Sequence, residues 1–128
     1  MLAFAAKRGS SLLAHLPIGA CFGVNLLAAD QERVARDFAA GGRDRFERTL
    51  WCHDNGVPRI VGSAAWLVSE VAARHLAGDH EFIGGHVVVA KREHRPPLLF
   101  AEHRFHAFVA TSIGQRSCPC GRQIDQRD

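Results

Sequence analysis

The sequence predicts a mainly β domain, an antiparallel barrel with short peripheral helices. Three observations carry this. Residues 64–74 alternate, with Ala65, Leu67, Ser69 and Val71 set against Trp66, Val68, Glu70 and Ala72, the period of a strand. Phe82 to Arg92 is a run of high β propensity centred on Val87-Val88-Val89. Along the chain, about six strand-like segments stand against about three short helical ones.

The elements follow in order. Residues 2–6, Leu-Ala-Phe-Ala-Ala, are apolar without polar alternation, as in a strand covered on both faces. Lys7-Arg8-Gly9-Ser10-Ser11 leads into a short amphipathic helix around 11–16. Residues 20–26 form a second strand, entered through Gly19, with Cys21 as a small core residue. Asp30 serves as N-cap of a helix over 31–40, with Gln31 and Glu32 in the first turn. Val34, Ala35 and Phe38 give it one apolar face, and Gly41-Gly42 ends it. Asp44 to Phe46 makes a short helical turn with Phe46 inserted in the core.

Trp51 to Pro58 is a loop with a tight turn at Asn55-Gly56. Strands follow at 59–61 and 64–74, His75 to Asp79 forms a turn, and Phe82 to Arg92 the next strand. Pro96-Pro97 closes that segment, and Leu98 to Phe105 is the last strand. From Ala107 the pattern is lost in a polar, charged tail. The chain therefore divides into a domain over 1–106 and a flexible tail over 107–128.

Composition narrows the class. The chain has 128 residues, 47% hydrophobic and 23% charged, which suits one soluble domain with a core of its own. A formal charge of +3, from 16 basic and 13 acidic residues that are interspersed, gives no nucleic-acid footprint. No apolar stretch is long enough to cross a bilayer, and Lys7-Arg8 follows the first apolar run, where a secretory leader has its charge in front. The expectation is a cytoplasmic protein with neither membrane nor nucleic-acid partner. Its cysteines, Cys21, Cys52, Cys118 and Cys120, are then free thiols.

Four groups of residues could do chemistry. Lys7-Arg8-Gly9-Ser10-Ser11 offers backbone N–H groups, hydroxyls and positive charge to one anion, a workable phosphate cradle; its plainer reading is a basic turn with Ser10 capping a helix. Gly78-Asp79-His80 sets a carboxylate and an imidazole side by side at a strand mouth, where Asp79 can fix the His80 tautomer; alone, it is also an everyday turn. Phe105, beside Arg104, is either a stacking aromatic or a strand-end core residue. His103, His106, Cys118 and Cys120 satisfy the zinc ligand count, but the Cys-x-Cys spacing is poor and the tail lacks an apolar frame, so no metal site is expected.

The order of these motifs carries a family resemblance. Gly23-Val24-Asn25-Leu26-Leu27-Ala28-Ala29-Asp30-Gln31 is followed by Asp44-Arg45-Phe46, then by Gly78-Asp79-His80 with Gly85 five residues on. From about residue 2 to 106 the chain resembles the flavin reductase-like family, whose members form an FMN-binding split β-barrel. The resemblance implies a Greek-key antiparallel barrel, here partial, because relatives carry further strands ahead of the point matching residue 1.

It also implies site roles. Lys7 matches the basic residue of the flavin-phosphate segment and Ser11 its Thr. Gly9 stands where relatives have Ser, with Ser10 a substitute hydroxyl. Gly78, Asp79 and His80 lie by the flavin ring, and His80, the one catalytic candidate, positions the nicotinamide. Phe105 falls where many relatives have a Tyr near that site. The implied activity is hydride transfer from NADH or NADPH to FMN or FAD, in a homodimer that supplies reduced flavin to a monooxygenase. The alternative is a non-catalytic split-barrel fragment that binds flavin or a protein partner.

Overall fold

The computed structural model of the chain describes residues 1–42 and 44–108. In chain order the elements are β1 (Leu2–Lys7), α1 (Ser11–Ala14), β2 (Cys21–Leu26), α2 (Glu32–Ala40), a 3-10 turn (Asp44–Phe46), β3 (Trp51–Asp54), β4 (Val57–Ile60), β5 (Ala65–Ala77), β6 (His80–Arg92), β7 (Leu98–Ala101) and β8 (Arg104–Ala107). Apart from Ala107 and Phe108, the expected tail lies outside the described residues, and so do Cys118 and Cys120.

One antiparallel sheet has the order β1-β6-β5-β2, in which the first strand returns to lie beside the last, a Greek-key arrangement. β5 and β6 form a long hairpin across its centre. A flat ribbon of that length would not wrap a core. Irregularities opposite Val68/Ser69 and at Val71/Ala73 interrupt the register and curl the sheet. Burial also changes face along β5: Trp66 and Val68 are buried on one face, then Ser69 and Val71 on the other, each face carrying its own core cluster.

The main core joins Leu13 and Leu16 from the α1 region, Phe22 of β2, Val71 of β5 and Ile83 of β6, with Leu2, Phe4 and Ala6 of β1 against it. A second cluster holds Val57, Trp66 and Val68 with Val89. Gly23 permits this packing: a Cβ there would lie 2.6 Å from the Trp66 ring. β4 closes the outer side of β2 through one side chain. Asn25 Oδ1 accepts from the Ile60 N–H at 2.8 Å, and Asn25 Nδ2 donates to the Pro58 carbonyl at 3.3 Å.

Several expectations need correction. β1 is an edge strand, so only Leu2, Phe4 and Ala6 are half-buried, and Ala3 and Ala5 face solvent. Cys21 is exposed, because it precedes Phe22, the residue of β2 that turns into the core. Asp30 does not cap α2. It pairs with Arg95, while Gln31 occupies the cap position and uses its amide to bond the Ala28 N–H and the Val61 carbonyl. Phe46 stacks edge-on with Phe38 and Trp51 in a half-buried aromatic cluster outside the main core.

The segment read as a loop, Trp51 to Pro58, is mostly the β3–β4 hairpin. Asn55 and Gly56, both at positive φ, make its turn as expected. The last strand is likewise two, since Glu102 and His103 (φ 50° and 61°) fold Leu98–Ala101 back on Arg104–Ala107. The turn expected over His75–Asp79 contracts to Gly78-Asp79, with Ala77 directly opposite His80.

Candidate functional site

The site is built where β1 ends and β6 begins. Lys7 lies opposite His80 and Ala6 opposite Glu81. One step further, the Arg8 N–H donates to the Asp79 carbonyl at 2.9 Å. The chain then reverses through Gly9, at φ 79°, and enters α1. Gly78, at φ 61°, occupies the first position of its two-residue turn, where a side chain would be strained. The basic bend and the Gly-Asp-His turn, about seventy residues apart in sequence, are thus tied together at one end of the sheet. Both are uncovered: a Cβ on Gly9 or Gly78 would meet nothing within 4 Å.

Beside them opens a cleft of about 600 Å³, lined by Arg8, Gly9, Ser10, Ser11, Arg74 and Glu81, with Leu13 and Leu76 among its apolar walls. The Ser10 hydroxyl oxygen is buried and has no hydrogen-bond partner, and it makes no capping bond to α1. Beside Arg8 it is a polar group left unpaired at the cleft wall, among the described residues.

Across the cleft, Arg74 Nε donates to Glu81 Oε1 at 2.5 Å, and Arg74 Nη1 donates to the carbonyls of Leu16 at 2.9 Å and Leu13 at 3.3 Å. The hydrogen bond from Arg74 holds the Glu81 carboxyl below its ordinary range, against partial burial, with Arg8 adding to the effect. The same bond raises Arg74. Glu81 is therefore ionised and already paired, which leaves Arg8, among the described residues lining the cleft, as the cation available to an incoming anion.

His80 stands differently. Its Nδ1 lies 2.8 Å from Asp79 Oδ1, and a carboxylate only accepts, so Nδ1 carries the proton; in the neutral ring Nε2 is then the acceptor. Successive strand residues face opposite sides, so His80 and its neighbour Lys7 lie on the open face of the sheet, and Glu81 lies on the cleft side. His80 therefore does not line the cleft that holds the 9–11 bend. The two meet only over the sheet end, across the bare Gly9 and Gly78 turns. Phe105 is elsewhere, tilted against Phe100 at 4.9 Å with the Arg36 guanidinium 5.0 Å from its ring centre.

Residues 1–108 match the flavin reductase like domain family. The chain belongs to that family. The flavin reductase-like chain is 37% identical over 102 residues to a flavin reductase (NADPH) of Lentzea aerocolonigenes, covering 77% of this chain and 59% of that relative. It superposes on the NADH:FAD oxidoreductase SgcE6 of Streptomyces globisporus, solved with NAD and FAD fragments, at a TM-score of 0.77 and 30% identity over 86% of this chain and 68% of that one. It is also similar to BorF, the flavin reductase component of a bacterial two-component tryptophan halogenase, with a TM-score of 0.73 at 27% identity, over 82% of this chain and 70% of that one. The flavin reductase-like chain thus spans about half to two-thirds of the length of curated relatives it matches.

Arg74 and Glu81 escaped the sequence reading. They are diagonal partners on adjacent strands, since Arg74 pairs with Ile83 and Leu76 with Glu81. Placing the turn at 78–79 would have brought them together; a five-residue turn hid the pair.

Proposed function

We propose that this domain, over residues 1–106, is an NAD(P)H-dependent flavin reductase acting on FMN or FAD. The observation that supports the reading is the Arg8–Asp79 main-chain bond, which ties the Lys7–Ser11 bend to the Gly78–His80 turn at one sheet end. The residues present fit a flavin phosphate: an unmatched Ser10 hydroxyl, the Ser11 side chain, the Arg8 charge and an uncovered Gly9 bend.

When both nucleotides are bound, the chemistry supplied is hydride transfer from nicotinamide to flavin. The chain's own work is positioning. Arg8, Ser10 and Ser11 hold the phosphate, with Lys7 adding charge from the adjoining face. Asp79 fixes the His80 tautomer, and His80 Nε2 accepts a hydrogen bond from the nicotinamide carboxamide. No strong general base is required.

The working unit in this proposal is a cytoplasmic homodimer. The open face bearing Ala3, Ala5 and Phe82 supports an assembly that covers it. The partner is a flavin-dependent monooxygenase consuming reduced flavin, a role supported by 32% identity to the reductase component of a 4-nitrophenol 4-monooxygenase/4-nitrocatechol 2-monooxygenase of Rhodococcus opacus. A second reading, a flavin-binding module without turnover, draws on the unpaired outer edge of β1.

Absorbance at 340 nm tests these readings, with NADH or NADPH plus added FMN or FAD. Oxidation well above the free-flavin background is the expected result. Flavin binding with no oxidation selects the module, and neither binding nor oxidation ends both readings.

A further inference from the structure

We infer that Arg74 is the positioning residue of the anion cradle: held by Glu81, it clamps the Leu13 and Leu16 carbonyls and so fixes the helical turn that presents Ser10 and Ser11. This rests on the phosphate reading of the cleft and adds to it the element that keeps the cradle in shape.

α1 has a single turn, and a helix that short has no stability of its own. Its local supports are few: His15 Nδ1 lies 2.8 Å from the Ser11 carbonyl, and the His15 and Leu16 N–H groups bond the Leu12 and Leu13 carbonyls. Ser10 makes no capping bond, the first turn has no acidic residue and the last turn no basic one. Leu13 and Leu16 bury their side chains, which sets depth but leaves rotation of the backbone less constrained. Arg74 supplies what the helix lacks, a cation bonded to the carbonyls at its C-terminal end, delivered from β5.

Only Arg can do this here. Its planar fork reaches Glu81 through Nε and both carbonyls through Nη1, which a lysine ammonium cannot match in the same geometry. Glu81 sets the orientation of that fork. An approaching phosphate then meets Ser10 and Ser11 already in place.

The test is fluorescence titration of FMN and of riboflavin, which lacks the phosphate, into wild-type protein, Arg74→Met and Glu81→Gln. Amide hydrogen exchange at residues 13–16 is measured without flavin. Wild type binds FMN more tightly than riboflavin. Arg74→Met weakens FMN binding roughly tenfold, leaves riboflavin at its wild-type affinity and speeds exchange at His15 and Leu16. Glu81→Gln moves the same ratio in the same direction, and it decides the matter if Arg74→Met does not fold.

Equal affinity of wild type for the two flavins overturns the cradle and the clamp together. A wild-type preference that survives unchanged in both variants overturns the clamp alone. So does an equal loss for both flavins, which would mark Arg74 as a general support of the fold.

Discussion

Arg8 and Asp79 are joined main chain to main chain, N–H to carbonyl at 2.9 Å, one step beyond the last register pair of β1 and β6. Because the bond is between backbones, it fixes the loops and leaves both side chains free for other work. Arg8 faces the cleft, and Asp79 orients His80. One edge pairing therefore serves two functional groups on opposite faces of the sheet.

The first prediction concerns His80. If Nε2 bonds the nicotinamide, His80→Ala raises the KM for NADH or NADPH or lowers kcat/KM by about tenfold, the weight of one hydrogen bond. Flavin affinity stays near wild type, because His80 lies off the cleft. Steady-state kinetics beside a flavin titration measures both. A loss of flavin binding equal to the loss of kcat/KM contradicts the assignment.

Ser10 gives a prediction with two opposite signs. Its hydroxyl oxygen is buried without a partner, so Ser10→Ala removes an unmet polar group and leaves stability unchanged or slightly raised. If the hydroxyl serves a phosphate, the same change weakens FMN binding by roughly fivefold to tenfold. Thermal unfolding and FMN titration on one variant separate the two effects.

The legible part of the fold was that which rests on long patterns. β5 and β6 announce themselves by alternation and by the Val87-Val88-Val89 run, and Asn55-Gly56 marks its turn by the residues that tolerate positive φ. Glu102-His103 adopts the same left-handed conformation without Gly or Asn, so nothing local separated β7 from β8. The alternation marks β5 as a strand but does not signal that Trp66 and Val68 are buried on one face and Ser69 and Val71 on the other. At the site, the motifs Lys7–Ser11 and Gly78–His80 were legible and their adjacency followed from pairing. Which side chain faced which way required the register, and the Arg74–Glu81 pair was hidden for the same reason.

Acid sensitivity follows from two carboxylates. The Arg74 hydrogen bond lowers Glu81 from its ordinary 4.5. Asp54 is also lowered, from 3.8: partial burial opposes ionisation, and Arg59 and Lys91 together outweigh it. A carboxyl depressed in the folded state adds stability that is complete above its unfolded value and lost as pH falls through its folded one. The contribution of these two carboxylates is therefore complete near neutrality and declines below about pH 4.5. Glu81→Gln makes that decline shallower in chemical denaturation at stepped pH, and an unchanged slope would remove Glu81 from the account.

Asn25 offers a test of how the β3–β4 hairpin is held. Its side chain bonds both the Ile60 N–H and the Pro58 carbonyl. Asn25→Ala leaves a backbone donor of β4 without that partner, at a cost of about 1–3 kcal/mol. Asn25→Asp keeps the acceptor for Ile60 and loses only the weaker bond, so urea unfolding ranks it between wild type and Asn25→Ala.

Gly23 and Trp66 carry the last prediction. A Cβ at position 23 would lie 2.6 Å from one Trp66 ring carbon, 2.9 Å from a second and 3.1 Å from the Pro58 carbonyl oxygen. Backbone stands on one side and a fully buried ring on the other, so neither neighbour yields easily. Gly23→Ala therefore destabilises the protein by about 1–3 kcal/mol despite removing a flexible residue from a strand. Trp66→Phe shortens the ring at this contact and leaves a cavity elsewhere, so it too is destabilising alone. The double variant relieves the clash. Its loss is smaller than the sum of the two single losses, by about 1 kcal/mol or more in a double-mutant cycle read by urea unfolding. Simple additivity would show that Trp66 moves freely aside, and that the close approach at Gly23 does not fix the second core cluster.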